Sequence, residues 1–599
     1  MHTKGHLRPT IGFLSTWSIY EGTTIDNYTH ALLQGVCAAA RERDCDLLIG
    51  CGISLPGSPR ASRTAWAVPG ADMDFVPVGP WNTDGLIIIP DDFTDSQFEY
   101  VQDLSHSGYP IILTTAEKPG PLVAVDNAGG IRQAFDHLLQ HGHRQIAFIA
   151  GKKGRGGDSA ERLAAYRQAL RDAGMPADER LVAFGEHRRE DGRLAMQTIL
   201  ATGVPFTALL ASNDLSGLGA MEVLRASGRR IPEDVAVIGF DDILEARSQL
   251  PLLTTVRHPT FTVGYQAVLS LLEMIRTKST SGASTRVATQ LVIRQSCGCR
   301  PESLPVPAPA PPSSVEFETI QIELARAMAK AISIEFQHSP ADEIESLCLD
   351  LVRAFMVSLD RHSPAQFDAA LQQLFDWIEA HGMEAYPWHT ALSTLRRGLP
   401  GLLSMGLSAD LGFADMLVDR ARLVVAETAQ RQATAVLLRH MDTSNRLGLM
   451  TSQLLAVLDL SASTRILEQH LPQLGINHAL VALYSPREEV PLSHATLLLG
   501  MNLSKTEPPY QFLTREFPPP GLFPSDRAVQ LAILPLVIDE QTTGFVALTA
   551  SNLELCAAIV HSLAATLRAS RLYRDALEGR KLAEQANRLK KPLPIDGQS

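Results

Sequence analysis

Short apolar runs separated by amphipathic stretches fill the first half of the chain. Ile11-Gly12-Phe13-Leu14, Leu47-Leu48-Ile49, Leu86-Ile87-Ile88-Ile89, Ile111-Ile112-Leu113 and Val123-Ala124-Val125 read as buried strands. Ile146-Ala147-Phe148-Ile149, Ala208-Leu209-Leu210 and Val235-Ala236-Val237-Ile238 repeat the pattern further on. The stretches between them have helical spacing, as where Leu32, Leu33, Val36, Ala39 and Ala40 share one face of a helix over Tyr28 to Arg43. Strands without polar alternation, each joined to the next by a helix, predict parallel sheet covered on both faces. Such sheets bind ligands beyond the carboxyl ends of their strands.

The rhythm breaks after residue 300. Pro305, Pro307, Pro309 and Pro311 stand at alternate positions, which makes 301–314 an extended, semi-stiff linker. Residues 315–442 then keep helical spacing throughout, with Ile320, Leu324, Met328 and Ile332 on one stripe and Leu349, Val352 and Met356 on another. Ser339-Pro340, Ser363-Pro364 and Tyr386-Pro387 cut this stretch into several helices, so an all-α bundle is expected. Residues 443–574 return to strands after a helix through Leu447, Leu454 and Leu458. The strands are Ala479 to Tyr484, Leu531 to Leu536 and Gly544 to Leu548. A closing helix starts near Leu553 and heads towards Lys591, giving an α+β module with an antiparallel sheet. Residues 575–599 read as a charged helical extension and tail.

Length and charge narrow the class. At 599 residues the chain exceeds one core. Its composition, 45% hydrophobic and 20% charged, is that of folded protein. A formal net charge of −12 repels phosphate backbones and anionic membranes, so direct DNA binding and membrane association are not expected. The N-terminus, Met1 to Arg8, has no apolar core of a signal peptide, and no uninterrupted apolar run is long enough to span a bilayer. A cytoplasmic protein is the expectation.

Seven cysteines at 37, 45, 51, 297, 299, 348 and 556 form no disulfide framework. Cys297-Gly298-Cys299 lacks a second pair at zinc-ligand spacing, and His338, His362, His381 and His389 are too irregular for a metal site. No metal, cofactor or catalytic residue is assigned. The loop with Gly154, Gly156 and Gly157 lacks the Gly-Lys-Ser/Thr ending of a phosphate loop.

Three stretches resemble the ligand-binding core of the lactose-repressor and galactose-repressor family, a two-lobed fold like that of periplasmic binding proteins. They are Val125-Asp126-Asn127 with His137 to Gly151, then Glu161-Arg162-Leu163-Ala164-Ala165-Tyr166 with Ala173-Gly174, and finally Ser212-Asn213-Asp214 with Ile231 to Asp242 and Leu253-Thr254-Thr255-Val256. Together they cover residues 9–297 in the family's order. The resemblance implies a ligand-binding domain over 1–300, with Arg162, Asn213 and Asp241 contacting a sugar- or nucleoside-like ligand. Helix capping or inter-strand bonding is the competing role for each of the three, Asp and Asn being preferred caps. Trp17, Tyr20 and Tyr28 could stack on an apolar ligand face, and Asp126 and His258 are further candidates with structural roles as the alternative.

Two departures from the family stand out. Its N-terminal helix-turn-helix is not expected here, since the first strand starts by Pro9-Thr10-Ile11, and the helix after its second strand gives way to Gly52 to Pro80, with Pro56, Pro59, Pro69 and Pro77. The stretch near 443–574 resembles a GAF sensory domain in Leu471 to Ile476, in the strand ending at Tyr484, and in Leu534-Pro535-Leu536 before Gly544-Phe545. The expected function is a small-molecule sensor, homodimeric by resemblance and acting on an output partner, in which lobe closure passes through the linker and bundle to the GAF-like module. The alternative is a transcription regulator reaching DNA through a partner or a cryptic element. An enzyme is the third reading, disfavoured for want of a nucleophile or acid/base pair in one crevice.

Overall fold

The computed structural model describes residues 8–19, 27–55, 58–63, 77–89, 95–115, 120–154, 156–278, 284–299, 317–332, 341–403, 410–457, 460–485, 493–503, 510–523, 526–539 and 541–589. The proline-rich segment 301–312 and the tail beyond 589 lie outside these. The chain divides into two compact units, one of residues 1–292 with 444–599 and the other of residues 293–443.

The first unit opens with β1 (Thr10–Ile19), α1 (Asn27–Glu42), β2 (Asp46–Leu55), β3 (Ser58–Arg63), β4 (Gly85–Ile89), α2 (Asp95–His106) and β5 (Ile111–Leu113). Strands β2, β1, β4 and β5 lie side by side and parallel, as their unbroken apolar runs require. This is lobe 1. The chain leaves it through β6 (Val123–Val125) and α3 (Asn127–Gln140) for lobe 2. Lobe 2 comprises β7 (Ile146–Ala150), α4 (Gly157–Asp172), β8 (Val182–Phe184), α5 (Arg189–Ala201), β9 (Ala208–Ala211), α6 (Asp214–Ala226), β10 (Ala236–Asp241) and β11 (Thr254–Arg257). The chain recrosses to lobe 1 with α7 (Thr260–Thr277), which packs on α1, and returns through β12 (Thr285–Val287) to β13 (Gln290–Val292). The lobe 2 sheet has the order β13-β11-β10-β9-β7-β8, parallel except for β13. Strands β6 and β12 pair with each other as a two-stranded ribbon at the crossing.

The second unit is helical over its described residues from 317 onward. It contains α8 (Phe317–Ile332), α9 (Ala341–Asp360), α10 (Ala365–Ala380), α11 (Trp388–Leu403) and the first part of α12 (Leu411–Ala456). The helix ends fall at the proline breaks seen in the sequence, and one core around Trp388, Phe355 and Phe367 joins them. Helix α12 continues without interruption into the first unit. The expected separate helix through Leu447 and Leu454 is thus its last third, and it stops short of Leu458.

The C-terminal segment adds α13 (Leu460–His470), β14 (Ala479–Tyr484), β15 (His494–Met501), β16 (Tyr510–Leu513), β17 (Gln530–Ile538), β18 (Gln541–Thr549) and α14 (Leu553–Leu589). Its five strands pair antiparallel among themselves, in the order β16-β15-β14-β18-β17. The sheet does not end there. Strand β17 also pairs in parallel with β2, from Gln530↔Leu47 to Ile533↔Gly50, which makes a single ten-stranded sheet with lobe 1. Nothing in the sequence predicts this junction.

Helix α14 contains the stretch, Leu553–Gln585, that is long and apolar enough to cross a membrane, and 56% of its most apolar window is buried within the fold. Leu555, Cys556, Ile559, Val560 and Leu563 supply that buried part, on the same core as Val36 and Leu271 of lobe 1.

Candidate functional site

The carboxyl ends of the lobe 2 strands carry a cluster of charged and amide side chains. Arg162 enters from α4, which follows β7, and is only 3% exposed. Its Nε donates to Asn127 Oδ1 at 2.8 Å and its Nη1 donates to the Ser212 carbonyl at 2.6 Å. Nη1 also reaches Asp241 Oδ1 at 3.4 Å, and the guanidinium lies 3.8 Å from the centre of the Phe240 ring. Nη2 faces Asp158 Oδ2 at 4.0 Å, beyond hydrogen-bond length. A planar donor group is therefore fixed on three sides by amide, carbonyl and ring.

Asp241 closes β10 and is more accessible, with its side chain 29% exposed. Asp241 and Asp242 have φ of 112° and 61°, a left-handed conformation unusual for two successive non-glycine residues. Such strain persists where surrounding contacts enforce it, and it concentrates at ligand sites. Here Arg257 Nε donates to Asp242 Oδ2 at 2.6 Å, Arg247 Nη2 donates to the same oxygen at 3.2 Å, and the Asp242 carboxylate is only 1% exposed.

Asp214, fully buried at the start of α6, accepts from Thr255 Oγ1 at 2.6 Å and from the Ile243 amide at 3.0 Å. Burial, reinforced by the Asp241 charge, pushes its carboxyl well above the usual range. His258 is also buried, on the crossing from β11 to α7, and its Nδ1 shares a hydrogen bond with Thr260 Oγ1 at 2.8 Å. Burial first, then the Arg162 charge, pulls its imidazole well below its ordinary value.

The cluster extends to the ribbon between the lobes. Arg286 of β12 donates to both Glu161 oxygens, at 2.6 and 2.8 Å, and to the Val125 carbonyl of β6 at 3.0 Å. The Asn127 amide donates to Glu161 and to Asp158, each at 2.9 Å. Burial pushes the Glu161 carboxyl up, but hydrogen bonds from Arg286 and Asn127 outweigh it and hold the group below its ordinary value. Arg162 is thus linked through Asn127 and Glu161 to both strands of the crossing.

The structure brings Arg162, Asp241, Asn213 and His258 into this region. Asn213 is the N-cap of α6: its Oδ1 accepts from the Ser216 amide at 3.1 Å and its Nδ2 donates to the His187 carbonyl at 3.0 Å, so the amide is committed within the protein. Asp126 caps α3 through the Gly129 amide at 2.8 Å. Trp17 and Tyr28 have backbone in β1 and α1, but their side chains, and Tyr20 altogether, lie outside the described residues.

Sequence reasoning did not single out Asn127, Glu161, Asp158, Phe240 or Arg286. The triplet Val125-Asp126-Asn127 held a signal for Asn127. Arg286 gave none, since it lies on a three-residue strand 125 residues from its partner Glu161.

Comparison with known proteins bears on the same segment. Residues 135–297 match the family model described as a periplasmic binding protein-like domain. The chain is 38% identical over 200 residues to the HTH-type transcriptional regulator CelR of Thermobifida fusca, covering 33% of this chain and 58% of that protein. It is 34% identical over 181 residues to the HTH-type transcriptional repressor CytR of Escherichia coli, covering 30% of this chain and 53% of that one. The chain therefore spans between half and two thirds of the length of these relatives. Among solved structures, the transcriptional regulator CelR–cellobiose complex aligns at 30% identity over 48% of this chain and 85% of that one, with a TM-score of 0.40. The two-lobed α/β fold expected from the resemblance is present in the strand order and crossings of the described residues between 10 and 292.

Proposed function

We propose that the protein is a cytoplasmic small-molecule sensor whose ligand is polar and hydroxyl-rich, such as a sugar or nucleoside. The reading is carried by one observation: the accessible carboxylate of Asp241 stands beside Arg162 at the carboxyl ends of the lobe 2 strands. A carboxylate accepts from two neighbouring hydroxyls, while the Nη2 of Arg162 donates to a ring or hydroxyl oxygen. Arg162, Arg247, Arg257 and Arg286 stand against Asp158, Glu161, Asp241 and Asp242, so the region carries little net charge and suits a neutral, hydroxyl-rich ligand.

Ligand binding draws the lobes together about the β6–β12 ribbon, and the change is relayed to the rest of the chain. The C-terminal α+β segment is read as a GAF-like module, residues 315–442 as a helical bundle, and the working form as a homodimer that acts on an output partner. The function is binding and regulation rather than catalysis.

The test is a thermal-shift screen of the full chain against sugars including cellobiose, nucleosides, purines and amino acids, repeated on Asp241→Ala. A ligand at a hundred times its dissociation constant adds about 2.7 kcal/mol. A raised midpoint lost in Asp241→Ala supports the sensor. No shift across the panel, with the chain folded, overturns it.

A second reading, transcription regulation with the DNA contact supplied by a partner or cryptic element, is favoured by the names of the relatives, all HTH-type regulators. Tight, salt-steep binding of duplex DNA in fluorescence polarisation would support it.

A further inference from the structure

We propose that lobe 1 and the C-terminal α+β segment move as one rigid body, so that cleft closure displaces lobe 2 against both together. The inference rests on the sensor reading for its ligand, but the rigidity stands on the sheet itself.

In a free-standing lobe 1 the first half of the outer edge of β2 would be open. Here it is filled. That half pairs with β17 and the second half with β3, through Ile53↔Arg63 and Ser54↔Ser62. The junction continues beyond the strand register: the Leu47 amide donates to the Val529 carbonyl at 2.9 Å, and the Val529 amide donates to Asp46 Oδ1 at 2.8 Å. Gln530 Nε2 donates to the Cys37 carbonyl of α1 at 2.8 Å. On the other side Asn82 Nδ2 donates to the Phe517 carbonyl at 2.6 Å, and the Arg515 guanidinium lies over the Trp81 ring.

Both faces of the sheet are sealed by cores that ignore the boundary. One joins Leu47, Ile49 and Leu271 to Leu534, Val546 and Ile559. The other joins Leu48, Ile88 and Leu104 to Leu480, Phe517 and Phe545. A hinge between the two segments would have to break a ladder and split both cores at once. The passage between lobes is built differently, from three chain crossings and a two-stranded ribbon of three residues per strand. Packed interiors resist deformation, so motion concentrates at thin connections.

The connectivity adds a consequence. Lobe 2 ends at Val292, where the helical unit of residues 293–443 begins, and α12 carries that unit into the segment fused to lobe 1. The helical unit is therefore joined through the chain to lobe 2 at one end and to the composite body at the other.

The test measures distances between spin labels in the full chain. All seven native cysteines are buried, and burial pushes Cys37, Cys51, Cys348 and Cys556 up to between about 11 and 12, so labels go to introduced surface thiols. Glu99→Cys with Gln541→Cys reports within the composite body, and Glu99→Cys with Gln168→Cys reports across the lobes. The expected result without ligand is one narrow peak for the first pair and a broader distribution for the second. A ligand found by the thermal screen should shift only the second. A first pair as broad as the second, or one that shifts with ligand, overturns the proposal. A narrow first pair with no ligand found keeps the rigid body and counts against the sensing reading instead, so the two failures are distinguishable.

Discussion

Arg162 shows how far a ligand-site residue can also be structural. Its guanidinium is buried and satisfies the Asn127 side chain and the Ser212 carbonyl. Truncation leaves those acceptors without a donor as well as removing a ligand contact. Arg162→Ala is expected to lower stability by about 2–4 kcal/mol, read as a urea midpoint. Asp241→Ala, at a partly exposed position, should abolish ligand response while leaving the midpoint close to wild type. Two neighbours set the pH profile. Asp214 holds its proton in the folded state well above the unfolded value near 3.8, so stability is lost as pH rises past that value towards the folded pKa. His258 stays neutral when folded, with a value depressed from 6.5, so stability is lost as pH falls below 6.5. Asp214→Asn should therefore remove the loss of stability that sets in as pH rises past 3.8, and His258→Gln the loss that sets in as pH falls below 6.5, measured by urea unfolding between about pH 3 and pH 8. At this scale the sequence carried part of the site. Arg162 and Asp241 follow strands in a recognisable order, whereas Arg286 and Glu161 meet only because β12 returns beside β6. No local pattern announces such a meeting.

Elements were the most legible level, because periodicity and proline breaks are local. The breaks at Pro340, Pro364 and Pro387 separate α8 through α11, and the apolar runs of the first half all became strands. The contact between α1 and α7 depends on something subtler. A Cβ on Gly35 would stand 2.0 Å from the Phe261 carbonyl, and one on Gly264 would stand 2.0 Å from the Leu32 carbonyl, so the two backbones touch through reciprocal glycines. Alanine gains about 1 kcal/mol in a helix interior, but overpacking here typically costs about 1–3 kcal/mol. Gly35→Ala and Gly264→Ala should each lower the melting midpoint, and the double variant should fall by less than the sum, since the first substitution already separates the helices. Neither glycine reads as special in the sequence, where a lone glycine in a helical pattern has many possible causes.

The whole molecule was the least legible. Lobe 1 and the C-terminal segment each look complete along the chain, with their own strands and helices, yet they share a sheet and two cores. The reason is physical: an edge strand advertises its open hydrogen bonds but not the partner that fills them. A fragment ending near residue 300 would bare β2 together with Leu47, Leu48 and Ile49. It is expected to aggregate, where the full chain stays monodisperse in size-exclusion chromatography. Ligand screening therefore belongs on the full chain.

The β2–β17 junction also governs how the protein is made. Val529 and its partner Asp46 are 483 residues apart, which at about 5–20 residues per second of synthesis is roughly half a minute to a minute and a half on the ribosome. Throughout that interval the first lobe waits with an unfinished edge, because the strand that completes its sheet has not yet been made. Nascent-chain survival, more than the stability of the finished fold, becomes the step at which chaperone capture matters most, and substitutions along β17 should be felt first as lost yield.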